Sequence, residues 1–203
     1  MNTLIHYYND TASLFKTITM YYKDEITEIA DAISSTGSWY GGRFSASDRD
    51  SYMLRRYAVE ELLYKEFTAQ FGALKSNTPV YFYLIPNLDQ AYIDAHLEAR
   101  KQYAEDTTQY LLLDLDKLPD HSNISFTIND SFRSYRTKLI EKGIPVRQIV
   151  NLFSELEDYG KVFPIDDINR IHSKYKDVDD IRYEVQIWDP DILEDIRLKY
   201  SKQ

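Results

Sequence analysis

The 203-residue chain has no cysteine. Disulfides, thiolate metal ligands and a cysteine nucleophile are therefore excluded together. Glycine and proline are scarce, six of each, so neither collagen-like nor linker-like low complexity is available to it. Basic charge is in deficit: 24 Lys and Arg stand against 33 Asp and Glu, a net charge of −9. That balance opposes broad binding to phosphate backbones, which needs Lys and Arg to displace counterions, and leaves only a local basic groove open. No apolar run approaches the roughly 20 residues of a membrane span, and the first residues lack a basic-then-apolar leader pattern. A cytoplasmic protein with no membrane contact is the resulting expectation.

Familiar catalytic signatures are missing as well. The chain holds no GxxxxGK[ST] phosphate loop, no HExxH pair and no GxSxG elbow. Its four histidines, His6, His96, His121 and His172, are scattered, so no metal site is expected. Asp114 and Asp116, like Asp177, Asp179 and Asp180, fall at element ends, where Asp ordinarily caps helices and closes turns.

What is present is apolar content of 43%, enough for a sizeable core in one domain spanning 1–203. Tyrosine stands out, with 18 residues against 9 Phe and 2 Trp. Each supplies a stacking face with a polar tip, suited to ligand grooves, to interfaces and to half-buried surfaces alike.

Along the chain, 3–8 read as a strand and Asn9, Asp10 and Thr11 as cap chemistry for one helix reaching Ser34. A loop follows that holds Gly37, Gly41 and Gly42, half of all the glycines, among Trp39, Tyr40, Arg43 and Phe44. It reads either as a flap over a ligand or as a long connection. A second long helix runs from Asp48 to about Phe71, with Arg55 and Arg56 beside its apolar stripe. Strands are expected at 79–86, 108–114 and 124–128, all three as core strands, and helices at 88–105, 131–142, 146–158 and 166–175. Gly143 marks a helix stop. The segment 192–200 fits helix and strand equally. Strands and helices without regular alternation predict an α+β class, a mixed sheet core with long N-terminal helices.

The most informative strand is the last. Ile181, Tyr183, Val185 and Ile187 alternate with Arg182, Glu184, Gln186 and Trp188, a half-buried pattern that presents a carboxylate in a polar row. That row is either a solvated outer face or a site.

Read in order, several short pieces resemble the DarT-type DNA ADP-ribosyltransferases, a family of NAD-dependent toxin-like enzymes. Ile5-His6-Tyr7-Tyr8 stands where the family has a Tyr-His-x-Thr-like opening strand, without its threonine. Arg55 or Arg56 matches an NAD-contacting arginine on a helix, and Thr78-Pro79-Val80-Tyr81-Phe82-Tyr83 matches a VPFYF-like strand. Tyr110-Leu111-Leu112 follows as the next strand, and Phe126-Thr127-Ile128-Asn129 stands at an FTDG-like turn, with Ile-Asn in place of Asp-Gly. Arg182 to Ile192, containing Glu184, matches the strand with the catalytic glutamate. The likeness spans most of the chain in short pieces.

The resemblance implies an ADP-ribosyltransferase-like fold with NAD as substrate. Glu184 would be the catalytic carboxylate, Arg55 or Arg56 would hold the pyrophosphate, His6 the adenosine-side ribose, and Tyr81 or Tyr83 the nicotinamide. Trp39, Tyr40, Arg43 and Phe44 would form the loop that recognises the acceptor, a single-stranded nucleic acid or a protein, and an antitoxin-like partner would be expected. The alternative, from composition, is a non-enzymatic acidic protein-binding module such as an inhibitor or counter-defence protein.

Overall fold

The computed structural model describes residues 3–8, 14–21, 25–35, 44–45, 47–86, 88–101, 108–146 and 153–200. They form a mixed α+β structure built on one six-stranded antiparallel sheet. Its strands are β1 (Thr3–Tyr8), β2 (Val80–Leu84), β3 (Gln109–Asp114), β4 (Ile124–Ile128), β5 (Val162–Pro164) and β6 (Tyr183–Ile187), in the order β3-β1-β2-β6-β4-β5. The described helices are α1 (Ile26–Ser35), α2 (Arg49–Phe71), α3 (Gln90–Arg100), α4 (Ser131–Ser134), α5 (Arg136–Glu141), α6 (Ile168–Lys174) and α7 (Pro190–Tyr200). None is long and apolar enough to cross a membrane.

Register assigns each strand residue to a face. One cross-strand row reads Leu112–Ile5–Tyr83–Glu184–Thr127–Val162. Its neighbour on the same face contains Tyr81, Gln186 and Ser125. The opposite face carries Leu4, Phe82, Val185 and Phe126, which join α6 and α7 through Ile171, Ile192 and Ile196 in the largest core cluster.

Two separate helical covers lie over the Glu184 face. Helices α2 and α5 pack Val59, Leu63, Phe67 and Leu139 around Trp188 and Val162. Helix α3 packs Ile93 against Ile5 and Ile85, with Tyr7, Tyr83 and Leu97 alongside. Glu184 and Tyr83 therefore sit where the two covers meet.

Several expectations needed correction. β6 is buried on both faces rather than solvated on one, because α2 and α4 cover the polar row. The helix expected from 9 to 34 is broken where it can be described: Phe15 takes a positive φ of 63° and Thr17 is extended. Thr17, Ile18 and Thr19 are consecutive β-branched residues, which fit helix poorly, and only a 3₁₀ turn forms at Ile18–Met20. The helix expected over 131–142 divides at Tyr135, whose hydroxyl donates to Glu66 Oε2 at 2.9 Å.

β3 is an edge strand with alternate residues exposed, not a core strand. Residues 153–158, the described end of the helix expected at 146–158, form turns, and the three-residue β5 was not anticipated. Pro164 ends that edge strand, a position proline tolerates because no ladder donor is needed there. Residues 192–200 are helical, started by Asp189, whose Oδ1 accepts from Asp191 N at 3.0 Å, and by Pro190 at the first helical position.

The turn before β5 depends on Gly160. Its φ is +76°, and a Cβ there would lie 2.8 Å from the carbonyl oxygen of Ser134. Its own carbonyl accepts from Lys138 Nζ at 2.7 Å, and Lys138 also pairs with Glu66 on α2 at 2.6 Å. Gly160→Ala is expected to destabilise the fold by about 2 kcal/mol or more, from the left-handed backbone together with the clash. A urea-denaturation midpoint matching wild type would contradict this.

Candidate functional site

At the centre of the covered face lies a cluster of charged and hydroxyl groups. Glu184, in mid-β6, is 2% exposed. Its Oε1 accepts from the backbone N–H of Ser131 at 3.1 Å and from Gln186 Nε2 at 3.4 Å, and Tyr83 Oη donates to Oε2 at the outer limit of 3.5 Å. A hydrogen-bonded chain leads to it along the polar row. Trp188 Nε1 donates to Ser125 Oγ, and Ser125 Oγ to Gln186 Oε1, each at 2.8 Å; Gln186 Nε2 donates to the Glu184 carbonyl at 3.0 Å. This chain orients Gln186 and so the strand around the carboxylate.

Helix α2 supplies the facing wall. The Arg56 guanidinium stacks 3.7 Å above the Tyr81 ring centroid and 5.2 Å from that of Phe132. Arg56 Nε is 3.1 Å from Glu60 Oε1, yet Nε has no hydrogen-bond partner among the described residues. The N–H direction misses the oxygen, so the contact is one of charge with charge. Glu60, one turn further along α2, is 3% exposed. Its Oε1 accepts from Thr19 Oγ1 at 3.1 Å and from Tyr81 Oη at 3.2 Å, while Oε2 has no partner among the described residues.

Burial decides how these groups ionise. It pushes the Glu184 carboxyl up to about 7; the charge on Asp130 adds to the rise, and Arg56 and the Ser131 N–H oppose it. Burial also raises Glu60, against the pull of Arg56, Thr19 and Tyr81. It works against the charge on Arg56, but Tyr81, Tyr52, Glu60 and Glu184 outweigh it and hold the guanidinium protonated. Two buried carboxyls thus share one buried cation, and the cluster holds an exchangeable proton near neutral pH.

The expected residues divide. Arg56, Tyr81, Tyr83 and Glu184 come together. Arg55, the neighbour of Arg56, turns away and donates to Ser51 Oγ at 2.5 Å and to the Pro145 carbonyl at 3.3 Å. His6 is on the other face of the sheet, with its ring 4.9 Å from Phe82 and 5.2 Å from Phe15. Burial lowers it to about 4, partly offset by the Tyr81 carbonyl, which accepts from Nδ1 at 2.8 Å. It is a neutral, half-buried histidine on the face of the sheet opposite the Glu184 carboxylate, so the residue expected to hold the adenosine-side ribose is not brought to the cluster. Phe44 is buried against Tyr52 at 5.1 Å, and Tyr52 reaches Phe132 at 5.6 Å. Trp39, Tyr40 and Arg43 fall outside the described residues.

Glu60, Thr19, Ser131 and Phe132 were not anticipated, whereas Gln186 belongs to the polar row read from the sequence. Glu60 had a signal: it follows Arg56 by four residues, on the helix face that also carries Val59, Leu63 and Phe67. Ser131 acts through its backbone, which no side-chain pattern reveals.

Elsewhere, an open cleft of about 350 Å³ lies at the far end of β2 and β6, lined by Pro86, Tyr92, His172, Lys176, Asp180 and Arg182 among others. Glu184 does not line it. Among the described residues no group of three His, Asp or Glu is placed to hold a metal ion. No family model, curated protein or solved structure matches the chain.

Proposed function

We propose that the chain is an NAD-dependent ADP-ribosyltransferase in which Glu184 is the catalytic carboxylate. The observation that carries the reading is the meeting of Glu184, Arg56, Tyr81 and Tyr83 at the seam between two helical covers. These four come from three elements far apart in the sequence, α2, β2 and β6, and each matches a residue type in the ordered resemblance. Asn129 adds support, since its φ of 63° is the left-handed turn that a glycine in the family's motif would adopt and that asparagine tolerates.

The donor set suits NAD. A guanidinium stacked on a phenol can hold a pyrophosphate bidentately, and phenol faces can stack on nicotinamide. In the reaction, the bond between the ribose anomeric carbon and the nicotinamide nitrogen breaks, and nicotinamide leaves with the electron pair. The acceptor's nucleophile bonds to that carbon and loses a proton. Glu184 stabilises the oxocarbenium-like charge and takes that proton, a role suited to a carboxyl titrating near 7. Glu184 is 2% exposed; the roof over its carboxylate is closed, so substrate reaches it only when that roof moves.

The closed roof specifically favours a second reading: a non-enzymatic acidic binding module with this cluster as its polar core. Saturation-transfer NMR with NAD separates the two. The transferase reading predicts transfer to both the nicotinamide and adenine protons. Absence of transfer to either ring leaves the second reading.

A further inference from the structure

We infer that Glu60 is the positioning residue of the cluster: it fixes the Arg56 guanidinium over Tyr81 and divides its charge with Glu184. The geometry is specific. Arg56 and Glu60 are one turn apart on α2, and their charged groups are 3.1 Å apart. Tyr81 Oη donates to the same Glu60 oxygen while its ring lies under the guanidinium. Glu60 therefore grips both the cation and the ring beneath it. Thr19, from the 3₁₀ turn at Ile18–Met20, is the third partner of the same oxygen at 3.1 Å and ties that segment to the cluster.

A guanidinium held this way serves two carboxyls. Its attraction lowers the proton affinity of Glu60 and of Glu184, so ionisation of one weakens the help available to the other. The other titratable groups facing the pair are Tyr52 and Tyr57 from α2, Tyr81 and Tyr83 from β2, and Asp130 before α4. The inference concerns the free protein. Its link to catalysis rests on the function proposed above, but its test does not.

The test is a pH titration by NMR of protein carrying ¹³C-carboxyl glutamate, with signals assigned through Glu184→Gln and Glu60→Gln. In Glu60→Gln the Glu184 midpoint is expected to fall by roughly one pH unit, because Arg56 then serves a single carboxylate. An unchanged or higher midpoint would overturn the inference, since a merely structural residue would alter stability without moving that titration. The wild type supplies a second readout should the variant not fold. Each of the two carboxyl signals should bend at the midpoint of the other, and two independent single-step curves would equally overturn it. If NAD is turned over, Glu60→Gln should shift the pH profile of kcat downward by the same amount and change KM. Absence of turnover touches the proposed function, not the titration result.

Discussion

Replacing Arg56 with methionine is expected to destabilise the protein by about 3–5 kcal/mol at pH 8, because two buried carboxyls are then left without a cation. Methionine replaces much of the arginine stem's volume, so the loss reports charge more than packing. Lowering the pH to 5 should recover much of it, since Glu184, pushed up by burial to about 7, is then protonated and needs no counterion, and burial moves Glu60 in the same direction. Arg55→Met is the control. That side chain meets Ser51 and the Pro145 carbonyl at the edge of the structure, where such contacts contribute about 1 kcal/mol or less. Urea denaturation of both variants at the two pH values checks the contrast. Equal losses for Arg55→Met and Arg56→Met would show that the buried cluster carries no special weight.

Glu184→Gln should have opposite effects on activity and stability. Removing a carboxylate placed to stabilise developing positive charge is expected to lower kcat about 10²–10³-fold. Stability should rise at high pH, and the sign follows from proton counting. With its carboxyl raised from 4.5 to about 7, folded Glu184 holds a proton across that window that the unfolded chain releases. Stability contributed by this group is therefore full below pH 4.5 and is lost as pH rises toward 7. Glutamine has no such penalty. Above pH 7 the variant should gain up to about 3 kcal/mol, and below pH 4.5 almost nothing. A variant less stable than wild type at pH 8 would contradict the assignment of Glu184 as a buried, strained carboxylate.

Much of the sheet was legible because its strands carry period-two patterns or dense apolar runs; 3–8 and 124–128 coincide with β1 and β4. Helix α2 was legible from its stripe over 23 residues. Elements that failed lack such periodicity. β5 is three residues long, and the 14–21 segment is shaped by its tertiary contact through Thr19 to Glu60.

The site was half legible, for a physical reason. Glu184 could be placed on a face, but the same alternation describes a solvated row and a covered one, and only α2 decides between them. Arg55 and Arg56 are adjacent and chemically alike, and helical phase separates them by about 100°, turning one inward to Tyr81 and the other outward. His6 erred by one face: in a strand a shift of one residue crosses the sheet.

The most direct measurement of the central claim is nicotinamide release from NAD, followed by one-dimensional NMR for wild type and Glu184→Gln, with and without single-stranded oligonucleotides or a protein extract. The account predicts release by wild type that Glu184→Gln loses, with acceptor dependence naming the class of molecule modified. No release under any of these conditions, or release that persists in Glu184→Gln, would contradict it.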